Sequence, residues 1–343
     1  MTDIKSMNLS ELTAYLVENG FEKFRAKQVL GWVKQDAADF DAMKNIPQKL
    51  RDFLKDNTYL ACAEIVRIQR SKLDDTVKYL FRLYDGEYVE GVLMRYHHGR
   101  TICISSQVGC KMGCTFCATG KSGFSRSLTA SEMIAQIRSA EIDCGERISN
   151  VVMMGMGEPF DNYDNVIRFL RLVSSEDSLC IGMRHITIST CGIVPRIRDF
   201  ADLRLQCGLS VSLHAPHDEQ RSRTMPVNRR YPITELMNAV RYYIDKTNRR
   251  VTFEYALIDG ENDSDESAAA LAQLLKGLLC HVNLIPVNSV TGAEYRKSSI
   301  KRQQAFVNIL SSAGINATVR RSLGADIDAA CGQLKRNYMK GDV

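Results

Sequence analysis

Three cysteines stand close together in GCKMGCTFCATG, residues 109–120: Cys110, Cys114 and Cys117, separated by three and two residues. A disulfide would use two of them and leave a thiol over. A structural zinc site takes four ligands. Iron–sulfur clusters are held by thiolates, normally four. A cubane held by three thiolates keeps one iron open, and S-adenosylmethionine can chelate such an iron through its amino and carboxylate groups. On spacing alone, zinc and unrelated thiols stay open.

Further polar groups sit where short apolar runs end. MMGMGEP supplies Gly155, Gly157 and Glu158. Glycines let backbone approach a ligand closely, and a carboxylate accepts from an ammonium. Ser105, Ser189, His214 and Asn288 close other runs. Each also has a plain reading, as a strand-end turn or a satisfied core histidine.

These residues need elements to hold them. From residue 101 the apolar runs TICISS, NVVMMG, HITIST, GLSVSLH, VTFEYALI and HVNLIP alternate with amphipathic stretches such as TASEMIAQIRSAEI and PITELMNAVRYYIDK. Six such alternations predict an α/β fold with a parallel sheet or barrel. The strands' C-terminal ends then build the site. Residues 60–98 read as strands, with a hairpin turn at Asp85–Gly86. Residues 1–58 read as three helices, the first capped by Ser10 and stopped at Gly20, the third opened by Pro47. Lysines and arginines from Lys23 to Lys55 decorate this region, as they would any solvated helical face.

The chain has 343 residues, 45% hydrophobic and 25% charged, with formal net charge +5. That is an ordinary globular composition with a mild basic excess, compatible with RNA. No apolar run approaches the roughly 20 residues of a spanning helix. The N-terminus carries polar residues where a signal peptide has an apolar core, so a cytoplasmic protein without a membrane partner is expected. Eleven cysteines in a reducing compartment are mostly buried or functional thiols, not a disulfide framework.

The cysteine spacing, with Phe116 before the third cysteine and ATG after it, closely resembles the radical S-adenosylmethionine superfamily. SSQVGCKMGCTFCATG, VVMMGMGEPFDNYDNV, RHITIST, SVSLHAP, NRRVTFEY, VNLIP and DIDAACGQL together resemble the RlmN/Cfr family of RNA methyltransferases, from about residue 10 to about 340. The resemblance implies a partial (β/α)6 barrel over 99–343, a β-rich extension over 59–98 and a helical accessory RNA-binding domain over 1–58. It implies a [4Fe–4S] cluster on Cys110, Cys114 and Cys117. S-adenosylmethionine would be lined by Gly157, Glu158, Ser189, Ser212, Leu213, His214 and Asn288.

The same resemblance gives three residues the chemistry. Cys331 matches the thiol that carries the methyl group. Cys103 matches the resolving thiol, which forms a transient disulfide with Cys331. Glu90 matches the carboxylate that takes the adenine proton. Read by residue type alone, Cys103 is a buried small apolar group, Cys331 a packing residue and Glu90 a solvent-facing strand position.

The implied reaction is methylation of an adenosine of 23S ribosomal RNA before ribosome assembly is complete. Adenosine 37 of transfer RNA is an open second substrate. GMGEPFDNYDNV, RHITIST and NRRVTFEY resemble the branch that acts on carbon 2. Chain length and MPVNRRYPI lean toward the branch that acts on carbon 8. The family also implies a flavodoxin- or ferredoxin-type electron donor and a monomer. Basic clusters at Arg221, Arg223, Arg229 and Arg230, at Arg249 and Arg250, at Arg296, Lys297, Lys301 and Arg302, and at Arg320 and Arg321 would meet phosphates. A cluster-bearing RNA-binding or electron-transfer protein without methyl transfer is the reading from another class.

Overall fold

A computed structural model describes the chain except residues 36, 38, 177, 287–294, 322, 328–333, 336–337 and 339–343, and the side chains of 121–122. Cys331 and Asn288 therefore lie outside the described residues.

The N-terminal helices are α1 (Leu9–Glu18), α2 (Arg25–Lys34) and α3 (Gln48–Asn57). The cap of α1 is Asn8 rather than Ser10. The Asn8 side chain accepts from the Glu11 N–H, and Glu11 accepts from the Asn8 N–H. That reciprocal box satisfies two helix-end donors, and it moves the helix start two residues earlier than a serine cap would. Past the other end, Gly20 takes φ +81°, a left-handed turn glycine favours. Leu12, Leu16, Ala26, Val29, Leu50 and Leu54 form a separate small core. Two short strands, β1 (Thr2–Asp3) and β2 (Thr58–Tyr59), pair in parallel and tie its ends together.

The remaining strands are β3 (Glu64–Arg70), β4 (Val77–Arg82), β5 (Tyr88–Tyr96), β6 (Gly99–Cys103), β7 (Gln107–Gly109), β8 (Phe124–Ser127), β9 (Asn150–Met153), β10 (Ile186–Thr190), β11 (Gly208–Ser212), β12 (Val251–Leu257), β13 (Cys280–Pro286) and β14 (Ala317–Val319). The helices between them are α4 (Ala130–Cys144), α5 (Tyr163–Val173), α6 (Val194–Asp202), α7 (Asp218–Thr224), α8 (Ile233–Thr247), α9 (Asp265–Leu275) and α10 (Ile300–Ser312).

Among the described residues, one mixed sheet of ten strands runs β14-β13-β12-β11-β10-β9-β6-β5-β4-β3. From β6 to β14 the pairs are parallel, each reached through a helical crossover; β3 to β6 pair antiparallel. The parallel run is thus one short strand, β14, longer than the six expected. The 64–96 strands continue the same sheet.

Alternation along the strands separates two faces. Ile102, Val151, Ile188, Val211, Phe253 and Leu284 belong to the main apolar core, which also holds Met133, Val166, Ile197 and Leu271 of the helices. The alternate positions, Cys103, Val152, Ser189, Ser212, Glu254 and Asn283, turn to the other face. Several of these are polar. The helix-facing side thus supplies hydrophobic stabilisation, about 1.5–3 kcal/mol for each large apolar side chain removed from water. The opposite side is left for chemistry.

The N-terminal unit docks on this body through polar contacts. Ser6 Oγ accepts from the Ser131 N–H at 3.0 Å and donates to Asp3 at 2.7 Å, and Ser131 Oγ also donates to Asp3. Arg168 grips Glu11 through two bonds of 2.6 and 2.7 Å.

Candidate active site

The hairpin of β7 and β8 is the base of the cysteine loop. Gly109 takes φ +78°, and a Cβ there would stand 1.9 Å from the Gly123 carbonyl oxygen. Only a glycine lets the two strands close this tightly. The Cys110 N–H donates to that same oxygen at 2.8 Å. Farther along, the Thr115 N–H donates to Thr224 O at 3.0 Å, which anchors the loop to the end of α7.

So held, Cys110, Cys114 and Cys117 line one cavity of about 340 Å³. Burial, with the neighbouring Glu158 and thiols adding to it, raises the Cys110 thiol to about 11 and the Cys114 thiol to about 12. Such thiols stay protonated unless a cationic centre displaces their protons. Among the described residues, no three His, Cys, Asp or Glu side chains converge on one ion-sized point. The three thiols would be the protein ligands of a multi-iron cluster.

The strand ends form the rest of the wall. Gly155, Gly157, Glu158, Ser189, Ser212 and His214 all line this cavity. Added Cβ atoms at Gly155 and Gly157 would meet Ile104 O and Gln107 Cβ, both at 2.6 Å. Glu158 is buried; its Oε1 accepts from the Phe160 N–H at 3.0 Å and its Oε2 from the Cys191 N–H at 2.7 Å. Burial nevertheless holds its carboxyl above the usual range. The Thr190 and Cys191 side chains hydrogen-bond to the same carboxylate. Buried Gln107 fixes this turn by accepting from the Glu158 N–H and donating to Asp161.

Leu213 is different. It turns to the helix side and is fully buried in the main core, so only its backbone is near the site. Strand alternation in GLSVSLH carries that signal, since Ser212 and Leu213 must face opposite ways.

His214 adopts φ +57°, rare for a residue with a Cβ. Its Nδ1 lies 2.9 Å from the Ala256 N–H and must accept, so the neutral ring carries its proton on Nε2. Phe116 of the cysteine loop meets the ring edge-on, with centroids 4.8 Å apart. Burial, then the charge of Arg221, lowers its pKa to about 3.

Arg221 corrects the reading of a phosphate-facing basic cluster. It is wholly buried and cannot reach RNA. It donates to the carbonyls of Cys191 (2.6 Å), Ser212 (3.0 Å) and Leu213 (3.1 Å), and to Asn228 Oδ1 (2.8 Å). One guanidinium thus clamps the turns after β10 and β11. A lone charge in a run of arginines carries no sequence signal for this. Glu254 was also unforeseen. It is buried on the cavity floor, accepts from Ser210 at 2.7 Å and from Asn283 at 2.8 Å, and burial raises its carboxyl.

Cys103 and Glu90 approach from the antiparallel side. The register runs Lys78↔Val92↔Cys103↔Val152 across four strands. Glu90, two residues before Val92, shares their face. Cys103 is buried against Val92, Met94 and Met154, and Met154 also lines the cavity of the three cysteines. Glu90 is not solvent-facing: it is buried and ion-paired with buried Lys78 at 2.9 Å. Its other oxygen accepts from the Lys335 N–H at 2.6 Å.

Comparison with known proteins decides the family. The radical SAM superfamily model matches residues 104–272, and the ribosomal RNA large subunit methyltransferase N-terminal domain matches 2–60. A dual-specificity RNA methyltransferase RlmN of Clostridium tetani is 52% identical over 342 residues, 100% of this chain and 98% of that one. The chain belongs to the RlmN family. The relative of that name from Alkaliphilus oremlandii is 53% identical over 338 residues, 98% of each chain. A solved radical SAM methyltransferase of Sphaerobacter thermophilus superposes with a TM-score of 0.88 at 48% identity, covering 97% of this chain and 99% of that one. RlmN-family proteins use a [4Fe–4S] cluster and S-adenosylmethionine. Three half-buried thiols on one cavity, with glycines closing its wall, fit both.

Proposed function

We propose that this chain is a radical RNA methyltransferase acting on carbon 2 of an adenosine: adenosine 2503 of 23S ribosomal RNA, and adenosine 37 of transfer RNA as a second substrate. The observation that carries the reading is that Glu90 and Cys103 share one sheet face beside the three-cysteine cavity. The names of the relatives support RNA methylation, and carbon 2 over the carbon 8 alternative rests on the motif resemblance of GMGEPFDNYDNV, RHITIST and NRRVTFEY.

Carbon 2 of adenine is an amidine carbon and not a nucleophile, so polar methyl transfer from a sulfonium fails. When bound on Cys110, Cys114 and Cys117, the cluster supplies the electron that cleaves S-adenosylmethionine to a radical source. Gly157, Glu158, Ser189, Ser212, His214 and the Leu213 backbone orient that cosubstrate, with the His214 Nε2–H as donor and Glu158 as acceptor. Asn288 completes the set. The Cys331 thiolate takes a methyl group from one S-adenosylmethionine, which leaves as S-adenosylhomocysteine, then gives a methyl hydrogen atom to the radical source and bonds through that carbon to the adenine. Glu90 accepts the C2 proton, and one electron leaves the adduct. The Cys103 thiolate attacks the Cys331 sulfur and breaks its bond to carbon, leaving a disulfide, and the released carbon takes a proton to give the methylated base. Lys335, four positions after Cys331, already donates to Glu90, which supports bringing these groups together.

Residues 1–58 serve as the accessory RNA-binding domain, and exposed Lys23, Lys27, Lys34 and Lys49 offer charge for it. A flavodoxin or ferredoxin supplies electrons to a monomer in the cytoplasm. No described helix is long and apolar enough to cross a membrane.

The test is mass spectrometry of the RNA product against synthetic 2-methyl- and 8-methyladenosine. The 2-methyl isomer is expected, and the 8-methyl isomer would overturn the regiochemistry. Cys331→Ala should abolish product. Full activity in that variant would sink the mechanism and favour a cluster protein that transfers no methyl group.

A further inference from the structure

The parallel strands have a second end, opposite the cysteine loop, and it carries a pocket of its own. Arg184 stands just before β10, Gly208 begins β11, and Asn248, Arg249 and Arg250 lead into β12. These residues line a cavity of about 470 Å³ with Thr187 and Thr252. Thr187, Gly208 and Thr252 occupy the same strand face as Ser189, Ser212 and Glu254, each nearer the N-terminal end of its own strand. Buried Ser210 and Glu254, hydrogen-bonded to each other and to Asn283, separate this pocket from the cavity of the cysteines.

Its charge is one-sided. Three arginines line it and no carboxylate does. None of the three forms an ion pair with a described acid. Arg249 Nη1 reaches Gln206 at 3.3 Å and the guanidinium also lies against the Tyr243 hydroxyl, but its Nε is buried without an acceptor. A half-buried guanidinium with an unused N–H is costly unless an anion arrives. Nearby groups feel the uncompensated field: burial and then Arg250 hold His281 below its usual value. Guanidinium forks and threonine hydroxyls together are donors only toward an oxyanion, and their fork geometry suits phosphate.

We propose that this pocket binds a phosphate group. An RNA phosphodiester and a free polyphosphate present the same chemistry. The site is independent of the methyl-transfer reading, because it shares no residue with the cysteine cavity.

The test uses the full-length, cluster-loaded protein. Arg184 and Arg250 are exposed, so the double variant Arg184→Glu/Arg250→Glu should fold, which its thermal melt checks. A Gln pair replaces it otherwise. Arg198→Glu/Arg241→Glu, also exposed, changes the charge equally elsewhere. Two probes are titrated: a fluorescein-labelled RNA hairpin carrying the target adenosine, and inorganic pyrophosphate. If RNA occupies the pocket, the pocket variant binds RNA at least about tenfold more weakly than the control variant, and its log K against log salt slope flattens by about 2. If a free polyphosphate does, pyrophosphate binds the wild type and control but not the pocket variant, while RNA affinity matches the control. Equal behaviour of the two variants toward both probes overturns the proposal.

Discussion

Lys78 Nζ lies 2.9 Å from Glu90 Oε2, with the two side chains 0% and 2% exposed. An ammonium and a carboxylate that deep inside need each other. Removing one leaves the other charged and desolvated, which costs about 3–5 kcal/mol. Lys78→Met should therefore lower unfolding stability by that order and abolish RNA methylation. Lys78→Met/Glu90→Leu should recover most of the stability and none of the activity. Denaturant unfolding and a product assay on the same samples check both halves.

His214 gives the fold an acid dependence. Its usual value is 6.5 and the folded protein holds it at about 3. Between those values the unfolded chain binds a proton that the folded chain does not. Stability therefore falls as pH falls through that window, by up to about 1.4 kcal/mol per pH unit from this group. In His214→Gln the amide oxygen can replace Nδ1 as acceptor for Ala256. Unfolding followed from pH 6.5 to 4 should then show a shallower slope, and an unchanged slope would contradict the assignment.

Gly109→Ala puts a methyl group where Gly123 O already stands. The β7–β8 base must open, and the loop of Cys110, Cys114 and Cys117 opens with it. We expect near-native helix content by circular dichroism but iron content well below the about four per chain of a full [4Fe–4S] cluster. Retention of full iron would show that the hairpin does not set the loop.

The Arg168–Glu11 pair carries a second pH effect of opposite cause. The guanidinium bond holds the Glu11 carboxyl below the usual range. Its contribution is complete above the unfolded value near 4.3 and is lost as pH falls through the folded value. With side chains 40% and 37% exposed, the pair is worth under about 1 kcal/mol. Arg168→Ala should raise proteolysis between the N-terminal helices and β3 at neutral pH, and the difference from wild type should shrink near pH 3.

The sequence announced its chemistry best where residue type and spacing alone define a ligand set. Cys110, Cys114 and Cys117 could be read directly, and the period-two strands placed the walls around them. What stayed hidden were charges that tertiary packing drew inside. Lys78 in TVKYLFR and Arg221 in DEQRSRT look like ordinary surface cations, because nothing local records that a partner strand or three carbonyls will enclose them. The Asn8 cap was missed because two good capping residues stand two apart and only the Glu11 reciprocity separates them. β14 was missed because three residues on a sheet edge have no period to show.

The row Lys78, Val92, Cys103, Val152 has a consequence for how this enzyme can change over time. Because side chains alternate, a slip of one residue between β4, β5 and β6 would send Lys78, Glu90 and Cys103 into the helical core and bring Phe81 and Ile102 out. The two tight turns, at Asp85–Gly86 and His97–His98, set that register. Neither touches the cavity, yet a single-residue insertion in either would dismantle the chemistry while leaving every site residue in the gene. In this fold the short turns behave as part of the active site's inheritance, intolerant of length change even where they tolerate substitution.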